Sequence, residues 1–390
     1  MHKFAYMRPL ADYEIDSERG YLPPEDPIRE LPAALGLWDE IAYDLPKLLV
    51  SGRIRTFLRR IPLLDPEPYL STPAQWRRAM QALSYIGHAY VWGENPPPAS
   101  LPENIALPWY TVAQRLGRPP VLSYASYALD NWRRLEPDGP LTLDNIALLQ
   151  NFLGGLDEEW FILIHVAIEA AAAPALRVLP LLVQATIQED TSTAGEALST
   201  LAQALEEMYR LLMRMPEKCD PYIYYHRVRP YIHGWKNNPA LPDGLIYEGV
   251  AAYGGKPQQF RGETGAQSGI IPAIDAALGI THADDPLRTY LREMLDYMPP
   301  AHRQFVLDLE GYEIHRHRGF FAQPALKDLY NTCLHWVERF RTLHLEYAAT
   351  YIARQHQASL ANPTAVGTGG TPFLPYLAKH RDETIQHKLP

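Results

Sequence analysis

The chain has 390 residues, of which 47% are hydrophobic, and it contains 36 prolines and 14 histidines. This length predicts one large domain with a smaller one, because a single small core cannot organise so many residues. The formal net charge of −9, with no long basic run, argues against nucleic acid and anionic membranes as partners.

The N-terminal segment, MHKFAYMRPLADYEID, lacks the uninterrupted apolar core of a secretory signal. The two cysteines, Cys219 and Cys333, are too few for a disulfide framework and form no CxxC pair. A reducing, cytoplasmic location is therefore expected. The most apolar segment, residues 160–185, contains charged residues and two prolines, which favours a buried helix pair over a membrane span.

Helical patterns begin after a proline-rich N-terminal passage. Apolar residues recur at three- and four-residue intervals over residues 37–64 and again over 71–89, which predicts helices there. A further helix is predicted over RPPVLSYASYALDNW, residues 118–132, in which Tyr124 and Tyr127 lie about one turn apart.

A turn-rich passage near residues 136–156 marks the predicted domain boundary. Residues 1–150 would form a small, mostly helical capping domain, and residues 151–390 a large one. Helices are predicted in the second part at about 158–173, 175–189, 194–214 and 221–233. Because no strand alternation is evident after residue 130, the large domain is predicted to be an all-α bundle.

The longest periodic stretch is ALKDLYNTCLHWVERFRTLHLEYAATYI, residues 325–352, which predicts a long amphipathic helix. His344 lies in its apolar stripe, where an imidazole needs either a buried hydrogen bond or a metal such as haem iron. His165 lies on a second apolar helix, in WFILIHVAIEAAAA. Each histidine alone fits a hydrogen-bonded core residue, and the two together also fit opposite faces of a haem pocket.

Three further segments carry candidate binding groups. Arg229, in YYHRVRPYIHGW, offers a planar fork that can bind a carboxylate through two hydrogen bonds. FRGETGAQSG, residues 260–269, and GTGGT, residues 367–371, are rich in glycine but lack the GK[ST] of a phosphate-binding loop. Both segments fit loops whose backbone approaches a ligand, and the second also fits a plain linker.

The order of several segments resembles the indoleamine 2,3-dioxygenase family. The shared segments include AYVWG, PPVLSYASYALDNW, GWKNNPALPDGLIYEG, YMPPAHRQF, RTLHLEYAATYI and GTGGT, and the resemblance runs from about Tyr13 to the end. It implies a large all-α domain that holds a b-type haem, capped by a smaller domain. It also implies that O2 is inserted across the indole C2–C3 bond of L-tryptophan or a related indoleamine to give N-formylkynurenine, the first step of the kynurenine pathway.

The resemblance also implies roles for individual residues. His344 matches the proximal ligand of the haem iron, and Asp275 and Arg341 look like the pair that supports the proximal side. Arg229 matches the arginine that grips the substrate carboxylate. Thr368 matches the threonine of a mobile loop, at about residues 355–372, that closes over the substrate ammonium group.

On the distal side, aromatic and small residues match positions that line the substrate pocket. They are Tyr124, Tyr127, Phe161, Tyr224, Thr264 and Gly265. His165 departs from the pattern, since the best-known mammalian member has serine there, and it resembles the histidine of the related tryptophan 2,3-dioxygenases. We expect His165 to accept from the indole N–H and to orient the substrate.

The implied haem must be ferrous to bind O2, so an electron donor is expected as a partner. Two alternatives remain at this point: a non-catalytic gas or redox sensor that uses haem, and a haem oxygenase that acts on a different indole. A sensor has no use for both a carboxylate-binding arginine and a lid that carries a threonine. The presence of Arg229 together with GTGGT therefore favours an enzyme.

Overall fold

The computed structural model describes residues 7–355 and 359–390, and within them helices predominate. The α-helices are α1 (Gly36–Val50), α2 (Ile54–Leu58), α3 (Pro73–Trp92), α4 (Glu103–Leu116), α5 (Leu156–Ala171), α6 (Ala173–Gln188), α7 (Thr191–Met213), α8 (Pro221–Ile223), α9 (Ile270–Leu278), α10 (Pro286–Met294), α11 (Pro300–Gly311), α12 (Arg318–Phe321), α13 (Lys327–Ala348) and α14 (Phe373–Gln386). The all-α prediction is confirmed.

Short turns of other helix types connect these elements. Five-residue π-helical turns cover Ala125–Leu129, Tyr224–Val228 and Ala349–Ala353. Turns of 3₁₀ helix cover Leu10–Tyr13, Ala33–Leu35, Met215–Glu217, Arg229–Tyr231, Ala251–Tyr253, Gly265–Gln267, Leu295–Tyr297 and Ile314–His317. The strands are β1 (Ser100–Leu101), β2 (Arg133–Arg134), β3 (Ile146–Ala147) and β4 (Ile246–Tyr247).

The four strands form two small sheets. β2 and β3 are antiparallel, so the predicted turn-rich passage is the loop of a short hairpin. β1 pairs in parallel with β4, with Ser100 opposite Ile246. This pair joins the two sides of the predicted domain boundary, as does the 2.6 Å hydrogen bond from the Tyr13 hydroxyl to Asp308. The division near residues 136–156 stays a prediction.

Side-chain caps explain where two of the predicted helices begin. The Thr72 hydroxyl accepts from the backbone N–H of Gln75, and the Gln75 side chain accepts in return from the Thr72 backbone, so α3 begins with a capping box. The Asp190 carboxylate accepts from the backbone N–H groups of Ser192 and Thr193 in the first turn of α7. Both caps satisfy backbone donors that the helix itself leaves unpaired.

α5 and α6 form the predicted apolar helix pair, with a break at Ala172. Within residues 156–188, an 18-residue window has a mean hydropathy of 1.8, and by length and composition alone this helix pair could cross a membrane. In the fold, 67% of this apolar window is buried inside the protein. α6 packs against α7, α7 against α13, and α13 against α14. The pair therefore lies in the core of the bundle.

Two predicted helices are wrong in large part. Residues 118–132 contain a single π-helical turn, because Pro119 and Pro120 each disfavour the helical conformation of the residue before them and so prevent an earlier start. Residues 221–233 divide into α8, a π-helical turn and a 3₁₀ turn that contains Pro230. The predicted helix over 37–64 is divided into α1 and α2 by a turn that contains Gly52.

The predicted mobile loop, residues 355–372, contains no helix or strand in its described part, residues 359–372. Residues 356–358, like residues 1–6 of the predicted capping domain, lie outside the described residues. Within the loop, the Gly367 N–H donates to the Thr371 carbonyl at 2.8 Å, which makes a compact turn of GTGGT. The mobility of the loop stays a prediction.

Candidate active site

A cavity of about 870 Å³ lies between α5, α9, α13 and the two glycine-rich segments. Its volume is within the range of about 300–1,000 Å³ that is usual for pockets that enclose small ligands. The predicted site residues that line it are Tyr124, Phe161, His165, Tyr224, Thr264, Gly265, Asp275, Arg341, His344 and Thr368. Arg229 and Tyr127 lie outside this lining.

His344 projects into the cavity from α13. Its helix places Arg341 and Tyr347 on the same face, since positions three residues apart lie on one side of a helix. The imidazole is open to the cavity and forms no hydrogen bond with the part of the chain that the structure describes. Removal from water, with a smaller effect of His165, lowers its pKa to about 4, so the ring is neutral at pH 7.

Asp275 and Arg341, the predicted supporting pair, form an ion pair at the cavity that His344 also lines, and their supporting role stays a prediction. Arg341 Nη2 donates to Asp275 Oδ2, and its Nη1 donates to the Thr384 hydroxyl on α14. His282 Nε2 lies 3.0 Å from the same Asp275 oxygen. Burial alone would raise the pKa of Asp275, but the nearby Arg341 guanidinium and the His282 ring lower it to about 2. The carboxylate is therefore ionised and ties α9 to α13.

His165 faces the cavity from α5, where Phe161, His165 and Glu169 follow one another at four-residue spacing. Its Nδ1 lies 2.7 Å from the Phe161 carbonyl oxygen. Because a carbonyl only accepts, Nδ1 carries the proton and Nε2 is left as an acceptor. Burial lowers the pKa of His165, which keeps this tautomer neutral. The ring can thus accept a hydrogen bond from a ligand in the cavity.

Aromatic rings form the apolar part of the wall. The Phe161 ring lies 4.6 Å from the Tyr224 ring and 4.7 Å from the His165 ring, centroid to centroid. Tyr124 meets His165 edge-on at 6.1 Å. Tyr127 lies one layer behind, between Tyr85 and Phe161, and its buried hydroxyl has no partner among the described residues. Flat apolar walls of this kind suit an aromatic ligand.

Arg229 is fully buried and binds the predicted loop. Its Nη1 donates to the Asn362 side chain and, at 2.9 Å, to the Pro363 carbonyl, while Nη2 donates to the Val366 carbonyl at 2.6 Å. Its Nε has no partner among the described residues. Burial lowers the pKa of Arg229 to about 10, so the guanidinium keeps its charge. The cation therefore lies behind the loop, without direct contact with the cavity.

The two glycine-rich segments meet at the edge of the cavity. The Thr368 hydroxyl donates to the Glu263 carbonyl, and the Gly234 N–H donates to the Thr368 carbonyl at 3.3 Å. Thr264 begins the 3₁₀ turn that carries Gly265. A Cβ atom added at Gly265 would meet no atom within 4 Å, so this backbone borders open cavity space.

Glu263, Glu169 and Tyr351 are among the lining residues that the sequence-based prediction missed. Glu263 lies within the glycine-rich segment, directly before Thr264. Glu169 accepts from the Ser268 hydroxyl at 2.7 Å, and burial raises its pKa to about 7. Tyr351 lies in the π-helical turn after α13, and its hydroxyl donates to the Cys219 carbonyl at 2.7 Å. The four-residue spacing after Phe161 and His165 is a signal that could have found Glu169.

Comparison with known proteins places the chain in one family. The profile of the indoleamine 2,3-dioxygenase family matches residues 9–387. Indoleamine 2,3-dioxygenase 1 of Rattus norvegicus is 36% identical over 391 residues, which is 97% of this chain and 95% of the relative. Indoleamine 2,3-dioxygenase of Saccharomyces cerevisiae is 31% identical over 432 residues, 97% of this chain and 94% of the relative.

A third relative carries a different substrate in its name. The 6-hydroxytryptophan 2,3-dioxygenase of Fusarium equiseti is 30% identical over 402 residues, which is 97% of this chain and 98% of the relative. All three similarities extend over nearly the full length of both proteins. The chain therefore belongs to the indoleamine 2,3-dioxygenase family.

Proposed function

We propose that this protein is a haem-dependent dioxygenase that converts L-tryptophan, or a related indoleamine, and O2 into N-formylkynurenine. The observation that carries the proposal is that one cavity is faced by two neutral imidazoles from different helices, His344 from α13 and His165 from α5. Membership of the family supports the same activity. No feature of the described residues favours a sensor or another oxygenase.

The residues fit a haem with His344 as its axial ligand. A neutral imidazole without a protein partner opens into the cavity, and Gly265 leaves space for a flat group close to the backbone. Asp275 and Arg341 would fix the neighbouring turn of α13 through their ion pair. When bound, haem supplies the dioxygen chemistry and requires an electron donor that keeps its iron ferrous.

The opposite wall would hold the substrate. Phe161 and Tyr224 would enclose the indole ring, and His165 Nε2 would accept from the indole N–H. The Thr368 hydroxyl donates to the backbone carbonyl of Glu263, so its oxygen lone pair would still be free to accept from the substrate ammonium group. A haem propionate would bind the same ammonium group. Holding the indole in attack geometry can lower the barrier by about 7–11 kcal/mol.

Arg229 would bind the substrate carboxylate through its two-pronged guanidinium. In the structure those prongs are bound to carbonyls of the loop, and only Nε has no partner among the described residues. Substrate would therefore bind the guanidinium in exchange for carbonyls of residues 362–366. This exchange would link carboxylate binding to the position of the loop that carries Thr368.

The direct test is product formation by the reduced, haem-loaded protein with L-tryptophan and ¹⁸O2. We expect N-formylkynurenine that contains both labelled oxygen atoms, identified by mass spectrometry. The absence of this product, or a product with a single labelled atom, would contradict the proposal. Parallel reactions with 6-hydroxytryptophan and tryptamine would define the substrate range.

A further inference from the structure

Glu263 has a fixed backbone at the point where three segments meet. Its N–H donates to the Ile232 carbonyl at 3.1 Å, and its own carbonyl accepts from the Thr368 hydroxyl. The segment before it is held by two hydrogen bonds of 2.9 Å: the Trp235 N–H donates to the Phe260 carbonyl, and the Arg261 N–H donates to the Tyr297 hydroxyl. The side chain therefore starts from a well-defined position on the cavity wall.

The carboxyl group of Glu263 has no protein partner among the described residues. The residue is only 5% exposed and lines the cavity, yet its carboxyl group forms no hydrogen bond and no ion pair there. Other buried glutamates are paired: Glu158 accepts from three backbone N–H groups at 2.6–3.0 Å, and Glu169 accepts from Ser268. A buried carboxyl group without a hydrogen bond lowers the stability of the fold. A ligand that pairs with the Glu263 carboxyl would remove this cost, so the group is available for ligand binding.

Tyr224 lies near both a guanidinium group and a carboxyl group. Burial is the main reason that the pKa of Tyr224 is raised. Arg229 opposes this rise and Glu263 adds to it, so the Tyr224 hydroxyl is within electrostatic range of both groups. A cation and a carboxyl group near one ring of the site match the two charges of an amino-acid zwitterion, once the carboxyl group is ionised. An indole without an amino group would leave Glu263 unpaired.

We infer that Glu263 is a positioning residue that binds the α-ammonium group of the substrate and thereby selects amino acids over other indole acids. This inference rests on the proposed function and adds a protein carboxylate to the contacts of that site. The selectivity follows because a ligand that lacks the ammonium group leaves the buried carboxyl without a partner.

A pH dependence follows from the same contact. Burial raises the pKa of Glu263 to about 8, so in the ligand-free protein the carboxyl is protonated at pH 7. An ammonium ion stabilises the ionised form, so binding releases a proton and affinity rises as pH increases from about 6 to 8. The ionisable groups that face Glu263 are the phenols of Tyr85, Tyr124, Tyr127 and Tyr224, whose pKa values are all raised. These phenols stay neutral over that range.

The test measures equilibrium binding to the haem-loaded protein by calorimetry. Glu263→Gln should lower the affinity for L-tryptophan by about 10-fold to 100-fold, as expected for the loss of a hydrogen bond between charged groups. Indole-3-propionate, which keeps the carboxylate but lacks the ammonium group, should bind with nearly unchanged affinity. The rise in tryptophan affinity between pH 6 and pH 8 should disappear in the variant.

Two further variants separate this role from a structural one. Glu263→Asp should restore part of the preference for tryptophan, because it keeps a carboxylate at shorter reach. Glu169 is a second buried carboxyl group that lines the same cavity. Glu169→Gln should change the affinities for tryptophan and indole-3-propionate to the same degree. The parent protein must first be shown to make N-formylkynurenine. The inference would then be overturned if Glu263→Gln lowered the affinity for both ligands equally, or if it left the affinity for tryptophan unchanged. A parent protein that makes no N-formylkynurenine would instead overturn the proposed function and, with it, this inference.

Discussion

The wall of the cavity built from α9, α13 and α14 holds a buried ion-paired cluster, whereas the wall built from α5 and residues 260–269 holds a carboxyl group without a partner among the described residues. On the first wall, Arg341 binds Asp275 and Thr384, and His282 adds a third contact. On the second wall, His165 Nε2 and the Glu263 carboxyl have no partner among the described residues.

This difference indicates that the two walls have different roles. Paired charges on regular helices hold a group in one place, which suits support of a haem ligand. Unpaired polar groups in a buried site cost stability and are useful only when a ligand satisfies them. Under the proposed function, the first wall would be the proximal wall, which positions the haem, and the second would be the distal wall, which recognises the substrate.

The largest effect on stability is expected at the paired wall. Asp275→Asn leaves the Arg341 guanidinium buried without its counter-charge, and should lower the free energy of unfolding by about 3–5 kcal/mol. Because the pKa of Asp275 is about 2 when folded, its contribution is present above the unfolded pKa of about 3.9 and is lost as pH falls towards 2. Urea denaturation at pH 7 and pH 3 measures both effects.

The control for this prediction is Asp296→Asn, which removes an exposed partner of Arg303. An exposed ion pair is worth about 0–1 kcal/mol, so this variant should unfold almost like the parent protein. Equal unfolding free energies for the two variants would show that the Asp275 pair does not stabilise the proximal wall.

The next effect tests whether Arg229, which lies behind the loop, binds the substrate carboxylate. Arg229→Ala should lower kcat/KM for L-tryptophan by about 30-fold to 5,000-fold, since the loss of one partner of a buried charge contact costs about 2–5 kcal/mol. Turnover of tryptamine, which lacks the carboxylate, should change far less. Steady-state kinetics with both substrates measures the difference.

A loss of activity in Arg229→Ala could also come from the loss of the contacts between Arg229 and the loop. If this arginine only anchors residues 362–366, both substrates should lose activity to the same degree. Arg229→Lys keeps the charge but loses the planar fork, so it should recover only a small part of the tryptophan activity.

A smaller effect is expected at Thr368. Thr368→Ala removes the hydroxyl that binds the Glu263 carbonyl, and should raise KM for L-tryptophan by about 2-fold to 12-fold. Thr368→Ser keeps the hydroxyl and should behave like the parent protein. An equal defect in both variants would assign the effect to packing of the threonine methyl group instead.

The sequence predicted the long helices and several cavity residues well. α3, α7 and α13 have clear apolar periodicity, and the side-chain caps of α3 and α7 reinforce it, so their predicted limits agree with the structure within a few residues. The all-α class and the family also followed from the sequence and its motifs. The partners of the polar groups did not, because Asp275 and Arg341 are 66 residues apart and meet only after packing.

The π-helical turns were not predicted, although all three lie at the cavity. Tyr124 precedes one of them, Tyr224 begins the second, and Tyr351 lies in the third. One extra residue in a turn changes the direction of the side chains that follow, and spacing patterns of three and four residues do not reveal it. For the same reason the sequence did not separate Tyr124, which lines the cavity, from Tyr127, which lies behind it.

The central claim is that His344 binds haem iron in this cavity. The most direct measurement is a haemin titration of the parent protein and of His344→Ala, followed by absorbance and by electron paramagnetic resonance. We expect stoichiometric binding with histidine ligation in the parent protein, weak binding in the variant, and recovery of an imidazole-ligated spectrum when free imidazole is added to the variant. Equal haem affinity and an unchanged spectrum in His344→Ala would contradict the account.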